Sequence, residues 1–439
     1  MVPPSEINAD NLICDIKLST VVPASITPED KIHHLTGADL AMKLHHITTV
    51  HFFGGDAAEG LSIEDFKRAM FQWLQLYYPI SGRIRRHDGD GGRPFVKCND
   101  SGVRIVEAKC AKTVAEWLAS VDGGDYHRRL VYHQPLLDRD FGFTPLVFLQ
   151  LTRFKCGGVC VGMRWTHILG DAFSATECIN TWGKIMANQK LPPHSLDSPP
   201  ITPRHVGPMM TSSFCHSLKP LDSLGDNWLT PNNFKMQTHT FHITQKQLNS
   251  LLSEDRNKCN KITINPFEVI SAIVWKSMAK IKETKIITVC KKGKFDSSIL
   301  ENKFLGNTHQ VIGTVEAENT SLIADSDPIE IAKMIGEEFV DETSLIEKRM
   351  EEGDGNVDVL VYGGSNLTFV DLEGVDLYGL EMNGQGPVFA DVSIGGVGDE
   401  GAVVVVPNAG QQGRIVNVIL PENQLQLLKD ALRSDWGLF

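Results

Sequence analysis

No stretch of this chain approaches the roughly 18 consecutive apolar residues that a membrane-spanning helix needs. Its start, Met1-Val2-Pro3-Pro4-Ser5-Glu6, has neither the basic cluster nor the apolar run of a secretory leader. The expectation is therefore a soluble protein inside the cell. Positive charge is short: 42 Lys and Arg stand against 54 Asp and Glu, a net charge of −12. That balance offers no basic face for phosphate and excludes nucleic acid as an expected partner. The 9 cysteines are odd in number and scattered, with no Cys-x-x-Cys pair, which argues against a disulfide framework and for a reducing compartment. Cys156 and Cys160 fall on an apolar strand pattern and read as core packing rather than metal or redox residues. No Gly-x-Ser-x-Gly elbow follows a strand, and Gly89 to Gly92 is an acidic turn beside Asp88 and Asp90, not a phosphate-binding loop. Asn99, Asn319 and Asn366 begin glycosylation sequons, read as chance matches without a secretory leader.

What is present is an ordinary globular composition, 42% hydrophobic and 22% charged, over 439 residues, enough for two or three packed units. The spacing of Ile63, Phe66, Met70, Phe71, Leu74 and Tyr77 predicts a helix over Leu61 to Tyr78, stopped by Pro79. Short strands are expected at Arg93 to Val96, Val103 to Val106 and Leu146 to Leu151, with a helix over Thr113 to Val121. Pro192, Pro193, Pro199, Pro200, Pro203 and Pro208 forbid regular structure and mark a long crossover. Beyond it a strand (Gln237 to Ile243), a helix (Thr244 to Leu252) and a helix opened by Asn265-Pro266 and running to Ala279 are expected. The acidic, Gly-rich stretch Glu347 to Asp358 reads as a mobile surface loop. Strands at Ala402 to Val406 and Arg414 to Leu420 and a helix from Glu422 to Arg433 close the chain. The division is an N-terminal α/β domain (1–190), a crossover linker (191–235) and a C-terminal α/β domain (236–439), with a site between them.

One local pattern carries chemistry. Val159 to Trp165 predicts a buried strand, Ala172 to Met186 a helix, and His167-Ile168-Leu169-Gly170-Asp171 the turn joining them. A neutral histidine so placed can take a proton from an alcohol, thiol or amine, worth about 10²–10⁴ in rate. Asp171 stands at the helix N-cap, where it holds the turn that aims the histidine, and its loss should cost about 0.5–2 kcal/mol. Gly170 allows backbone that a side chain would penalise. These five residues alone do not separate a base from a packed core histidine. A metal reading lacks a third ligand at local spacing. His33-His34 and His45-His46 have no partner nearby in sequence, and Lys291-Lys292-Gly293-Lys294 is a basic patch of the solvated-loop kind.

The flanking segments are more specific. Tyr77-Tyr78-Pro79-Ile80-Ser81-Gly82-Arg83, Cys98-Asn99-Asp100-Ser101-Gly102-Val103, Phe154-Lys155-Cys156-Gly157-Gly158, Phe267 to Trp275 and Phe304-Leu305-Gly306-Asn307 resemble, in order, segments of the plant BAHD acyltransferases. The resemblance covers nearly the whole chain. It implies an α/β fold of two chloramphenicol-acetyltransferase-like domains joined by a long crossover, with a tunnel between them. It also implies that His167 matches the catalytic base and Asp171 a structural aspartate. The family's second motif, Asp-Phe-Gly-Trp-Gly, supports the CoA side of the tunnel. Here the matching stretch is Asp376-Leu377-Tyr378-Gly379-Leu380, without the tryptophan and with neither glycine in place. Asp376 and Asn307 are the cofactor-side candidates at family motif positions.

Thr20 to Ser25, Asp39 to His45, Asn366 to Val370, Asp376 to Tyr378 and Gly396 to Gly401 resemble the Eceriferum/Glossy branch of that family. That resemblance implies a helper of very-long-chain fatty acid elongation in cuticular wax synthesis, working with the condensing enzyme of the elongase. The alternative is a CoA-dependent O- or N-acyltransferase with His167 as general base. No bound cofactor is implied, acyl-CoA being a substrate. The implied setting is peripheral, on the cytoplasmic face of the endoplasmic reticulum or in the cytoplasm, and monomeric outside the complex.

Overall fold

The computed structural model describes residues 12–87, 92–120, 126–133, 142–191, 215–225, 228–253, 264–293, 305–353, 356–411 and 413–438. Two twisted sheets dominate. The first has six strands in the spatial order Ile13–Val21, Val103–Cys110, Val147–Phe154, Val159–Thr166, His46–Phe53 and Phe389–Gly395. Its neighbours are antiparallel except for the parallel pair Val103–Cys110 and Val147–Phe154. The second has seven, in the order Met236–Thr244, Gly413–Pro421, Ala402–Pro407, Leu367–Asp371, Ile286–Lys292, Gln310–Glu316 and Val340–Asp341.

The two sheets do not divide at the crossover. Phe389–Gly395 comes from the C-terminal half, yet it pairs with His46–Phe53 in the first sheet, Val392 opposite Thr49. Its Asp391 carboxylate then reaches the second sheet, accepting from Asn417 Nδ2 at 2.7 Å. The same carboxylate meets His127 Nε2 at 3.1 Å. One strand is thus hydrogen-bonded by its backbone to one sheet and by its side chain to the other. A division at residue 236 follows the chain, whereas the sheets interlock. Packing agrees: one core cluster joins Trp73, Trp165 and Trp182 of the first half to Leu377, Leu380 and Val404 of the second.

Local chemistry sets the helix starts. Ser62 and Asp65 form a reciprocal capping box on Ile63–Leu76, and Asn265 with Glu268 does the same for Pro266–Ala279, whose Pro266 needs no amide partner in the first turn. The stretch Glu347 to Asp358 departs from expectation. Through Glu352 it belongs to the helix Thr343–Glu352, with Ile346 and Met350 buried on one face. Four-residue spacing of those two apolar side chains outweighs the acidity of the solvent face. Arg93 pairs with Glu351 at 2.8 Å, and Asp358 is buried against Lys43 Nζ at 2.7 Å. Cys160 is fully buried, but Cys156 is exposed on the turn after Phe154, so core packing holds for only one of the pair. Pro192 to Pro208 of the crossover and the acidic turn at 88–91 lie outside the described residues. Among the described residues no helix is long and apolar enough to cross a membrane.

Candidate active site

His167 begins a short 3₁₀ turn, His167–Leu169, between the strand Val159–Thr166 and the helix Ala172–Met186. The turn is stitched to a distant segment. Gly306 N donates to Leu169 O at 2.8 Å, and Gly170, at φ 151°, lies against Gly306. A Cβ on Gly170 would sit 2.8 Å from Gly306 N, so the close approach requires glycine here. His167 N donates to His45 O at 3.1 Å. Asn307 Nδ2 donates both to the His167 carbonyl and to Asp39 Oδ1, each at 2.9 Å. His167 is therefore held through its own amide and carbonyl, and its turn through Leu169 and Gly170.

Asp171 does more than cap. It is fully buried, and Oδ1 accepts from Ser174 N at 3.0 Å at the start of the helix. Oδ2 accepts from His309 N at 2.8 Å, and Oδ1 pairs with His309 Nδ1 at 3.2 Å. Burial pushes the Asp171 carboxyl up, but the His309 ring and the converging amides outweigh it and hold the group below the usual carboxylate range. His309 moves the opposite way: burial lowers it, the carboxylate raises it more, and the net is upward. The pair ties the catalytic turn to the segment after Asn307.

The imidazole itself is closed in. His167 is 1% exposed and its Nε2 lies 3.0 Å from the hydroxyl of Tyr362, which is wholly buried. That hydroxyl also lies 3.2 Å from Gln310 Oε1, as a donor. A phenol has one proton. If Tyr362 gives it to Gln310, the histidine must present Nε2–H to the phenol oxygen; if it gives it to His167, the Nε2 lone pair is used. Neither arrangement leaves Nε2 free to take a proton from a substrate. Burial holds the imidazole below its ordinary value, against smaller upward pulls from its own carbonyl and Asp171. His45 completes the cluster, its ring 4.8 Å from that of Tyr362. Its Nδ1–H donates to Gly396 O at 2.9 Å while Nε2 accepts from Val361 N at 3.2 Å, and burial pushes it down to about 3. A void of about 10 Å³ beside Met42, Asn307, Gln310 and Ile346 is the size of one water. Among the described residues, the 1% exposure of His167 leaves its ring without an open approach. A groove of about 280 Å³ on the outer side of the first sheet, against Asp15, Lys17, Lys109 and Arg153, contains neither His167 nor Asp171.

Of the four residues singled out from sequence, the fold brings three together: His167, Asp171 and Asn307. Asp376 stands apart and exposed, joined to the helix Ala172–Met186 through Asn180, whose Nδ2 donates to the Asp376 carbonyl at 2.9 Å. Tyr378 and Leu380, in the places of the family's glycines, have no positive φ, and Leu380 packs on Gly183 of the same helix. This turn takes a path that ordinary side chains can follow. Asp39 and His45 lay inside a segment quoted for the family branch, and His309 two residues beyond Asn307, but no local signal tied them, Tyr362 or Gln310 to the site: each acts through contacts with residues distant in the chain.

A profile described as Transferase family matches residues 13–434. The chain belongs to the Transferase family. Among its relatives in this family, Protein ECERIFERUM 2 of Arabidopsis thaliana is 38% identical, the match covering 96% of this chain and 98% of the relative. Protein ECERIFERUM 26 of Arabidopsis thaliana is 36% identical, covering 94% of each. The BAHD resemblance and its Eceriferum side are borne out by these matches. Solved structures agree on the fold. Vinorine synthase superposes with a TM-score of 0.69 at 15% identity over 94% of this chain and 96% of its own. TRI101 of F. graminearum, in complex with coenzyme A and deoxynivalenol, gives 0.71 at 15% identity over 93% and 98%. The α/β, chloramphenicol-acetyltransferase-like fold implied by the resemblance is the one observed.

Proposed function

We propose that this transferase-family protein promotes elongation of very-long-chain acyl groups by an elongase condensing enzyme in cuticular wax synthesis, without using His167 as a base. One observation carries the second half of this reading: the Nε2 of the family's base is bonded to a buried phenol 3.0 Å away. Likeness to ECERIFERUM 2 and 26 over nearly the whole chain supports the first half. The altered turn at Asp376 to Leu380 points the same way, since the family uses it to support the CoA side. In physical terms the task is to favour longer chains, each buried methylene being worth about 0.8 kcal/mol. The proposed setting is peripheral, on the cytoplasmic face of the endoplasmic reticulum, reached through the condensing enzyme, with the protein monomeric outside that complex and acyl-CoA as substrate rather than cofactor.

The test is co-expression with a very-long-chain condensing enzyme in a host that makes no wax. Acyl chains should lengthen with the wild type and equally with His167→Ala. Loss of lengthening in the variant, at normal protein abundance, would favour the second reading, a CoA-dependent O- or N-acyltransferase. That reading keeps a specific observation in its favour, since the His167–Asp171 turn is built in full.

A further inference from the structure

We propose that the Tyr362 side chain is a latch over a complete acyl-transfer base, and that withdrawing it opens a thioester-cleaving centre at His167. The proposal rests on the reading above, in which the site is silent while Tyr362 is seated. Three features distinguish a latch from ordinary core packing. First, the backbone that presents His167 does not depend on the phenol: its amide, its carbonyl and the cap behind it are held by His45, Asn307, Ser174 and His309. Removing the ring leaves the turn that carries the base in place.

Second, the obstruction is a side chain on a pinned backbone. Gly398 N donates to Tyr362 O at 3.0 Å, and Gly363 N to Thr368 Oγ1 at 3.0 Å, while a Cβ on Gly363 would meet Gly398 O at 2.7 Å. Opening therefore takes rotation of one ring and breakage of its contacts to His167 and Gln310, not movement of a loop. Third, a void the size of one water is lined by Asn307, which holds the His167 carbonyl, and by Gln310, which accepts from the phenol, space that a second state with water present can use.

With the phenol withdrawn, Nε2 of the neutral imidazole takes a proton from water as the water oxygen bonds to the thioester carbonyl carbon. The adduct collapses with cleavage of the carbon–sulfur bond. The sulfur takes the proton back from the imidazolium, leaving a carboxylic acid and a free thiol. An alcohol or amine in place of water gives transfer by the same steps.

The experiment uses the full chain with Tyr362→Ala and Tyr362→Phe. Carbethoxylation of His167 by diethyl pyrocarbonate, followed by peptide mass spectrometry, reads access to Nε2. Thiol release from palmitoyl-CoA reads the chemistry. Tyr362→Ala should label His167 at least tenfold faster than wild type and raise thiol release by on the order of 10². The rise should vanish in the double variant with His167→Ala. Tyr362→Phe keeps the ring over His167 but removes the hydrogen bond to Nε2, so labelling and thiol release should rise above wild type and stay below Tyr362→Ala. The proposal is overturned if folded Tyr362→Ala labels His167 no faster, if it labels faster without thiol release, or if the release survives loss of His167. Where alanine prevents folding, Tyr362→Leu, which keeps apolar volume, is measured against the same outcomes. Lengthening by His167→Ala in the co-expression host reads the elongation role alone, so either reading can fail without the other.

Discussion

At the scale of single residues, the distinction between a cap and a buried ionic node changes what a substitution should do. As an N-cap alone, Asp171 would contribute about 0.5–2 kcal/mol. Here the buried carboxylate also accepts from His309 N and pairs with the His309 ring, whose side chain is 16% exposed. Its loss removes the cap together with these charge-assisted bonds, so Asp171→Ala should lower stability by about 3 kcal/mol, read from urea midpoints. A loss of 1 kcal/mol or so would reduce Asp171 to a simple cap. The same scale separates His167 from Tyr362. One was legible as a candidate base from its place on a strand-to-helix turn. The other lies 195 residues away in the chain, in a stretch whose sequence has no feature pointing to the site.

Among elements, the strand Phe389–Gly395 has the largest consequence. It extends the first sheet while Asp391 binds the second through Asn417, whose Nδ2 also donates to Val392 O at 2.6 Å. Asn417→Ala would leave a fully buried carboxylate and a buried carbonyl short of donors, at a cost of about 1.5–3 kcal/mol. Chemical denaturation should show that loss, and an unchanged midpoint would remove Asn417 as the clasp between sheets. Helices were easier to read than this strand. Asn265 and Asp171 announced helix starts because caps act within three residues. The stretch from Glu347 on, which includes the end of the helix Thr343–Glu352, reads as a loop from sequence because its charge and glycines outweigh the Ile346–Met350 spacing.

For the whole molecule, burial of histidines sets the response to acid. His45, His46, His51 and His167 are all held below the ordinary value, by burial first, His45 at about 3 and His51 at about 4. Below about pH 6.5 the unfolded chain protonates these groups while the folded chain does not, so stability falls with pH in that window. Each such histidine adds at most about 1.4 kcal/mol per pH unit. His309, raised by Asp171, has the opposite sign: its contribution is full below about 6.5 and is lost as pH rises through its folded value. It therefore adds no slope on the acid side. His51→Leu should reduce the stability lost between pH 6.5 and 5 by about 1.6 kcal/mol, measured from denaturant midpoints at the two pH values. A loss equal to that of the wild type would show that His51 does not resist protonation in the fold.

The sequence by itself determined the family, the turn that presents His167 and the helix behind it, because strand and helix periodicity, caps and short motifs are local in the chain. It also marked the departure at Asp376 to Leu380. Tertiary structure alone decided whether the base is free. Seating Tyr362 on Nε2, joining Asp171 to His309 and pairing Phe389–Gly395 with His46–Phe53 all require segments more than a hundred residues apart to meet in a buried interior. Those meetings are set by packing of the whole core, which no local pattern encodes.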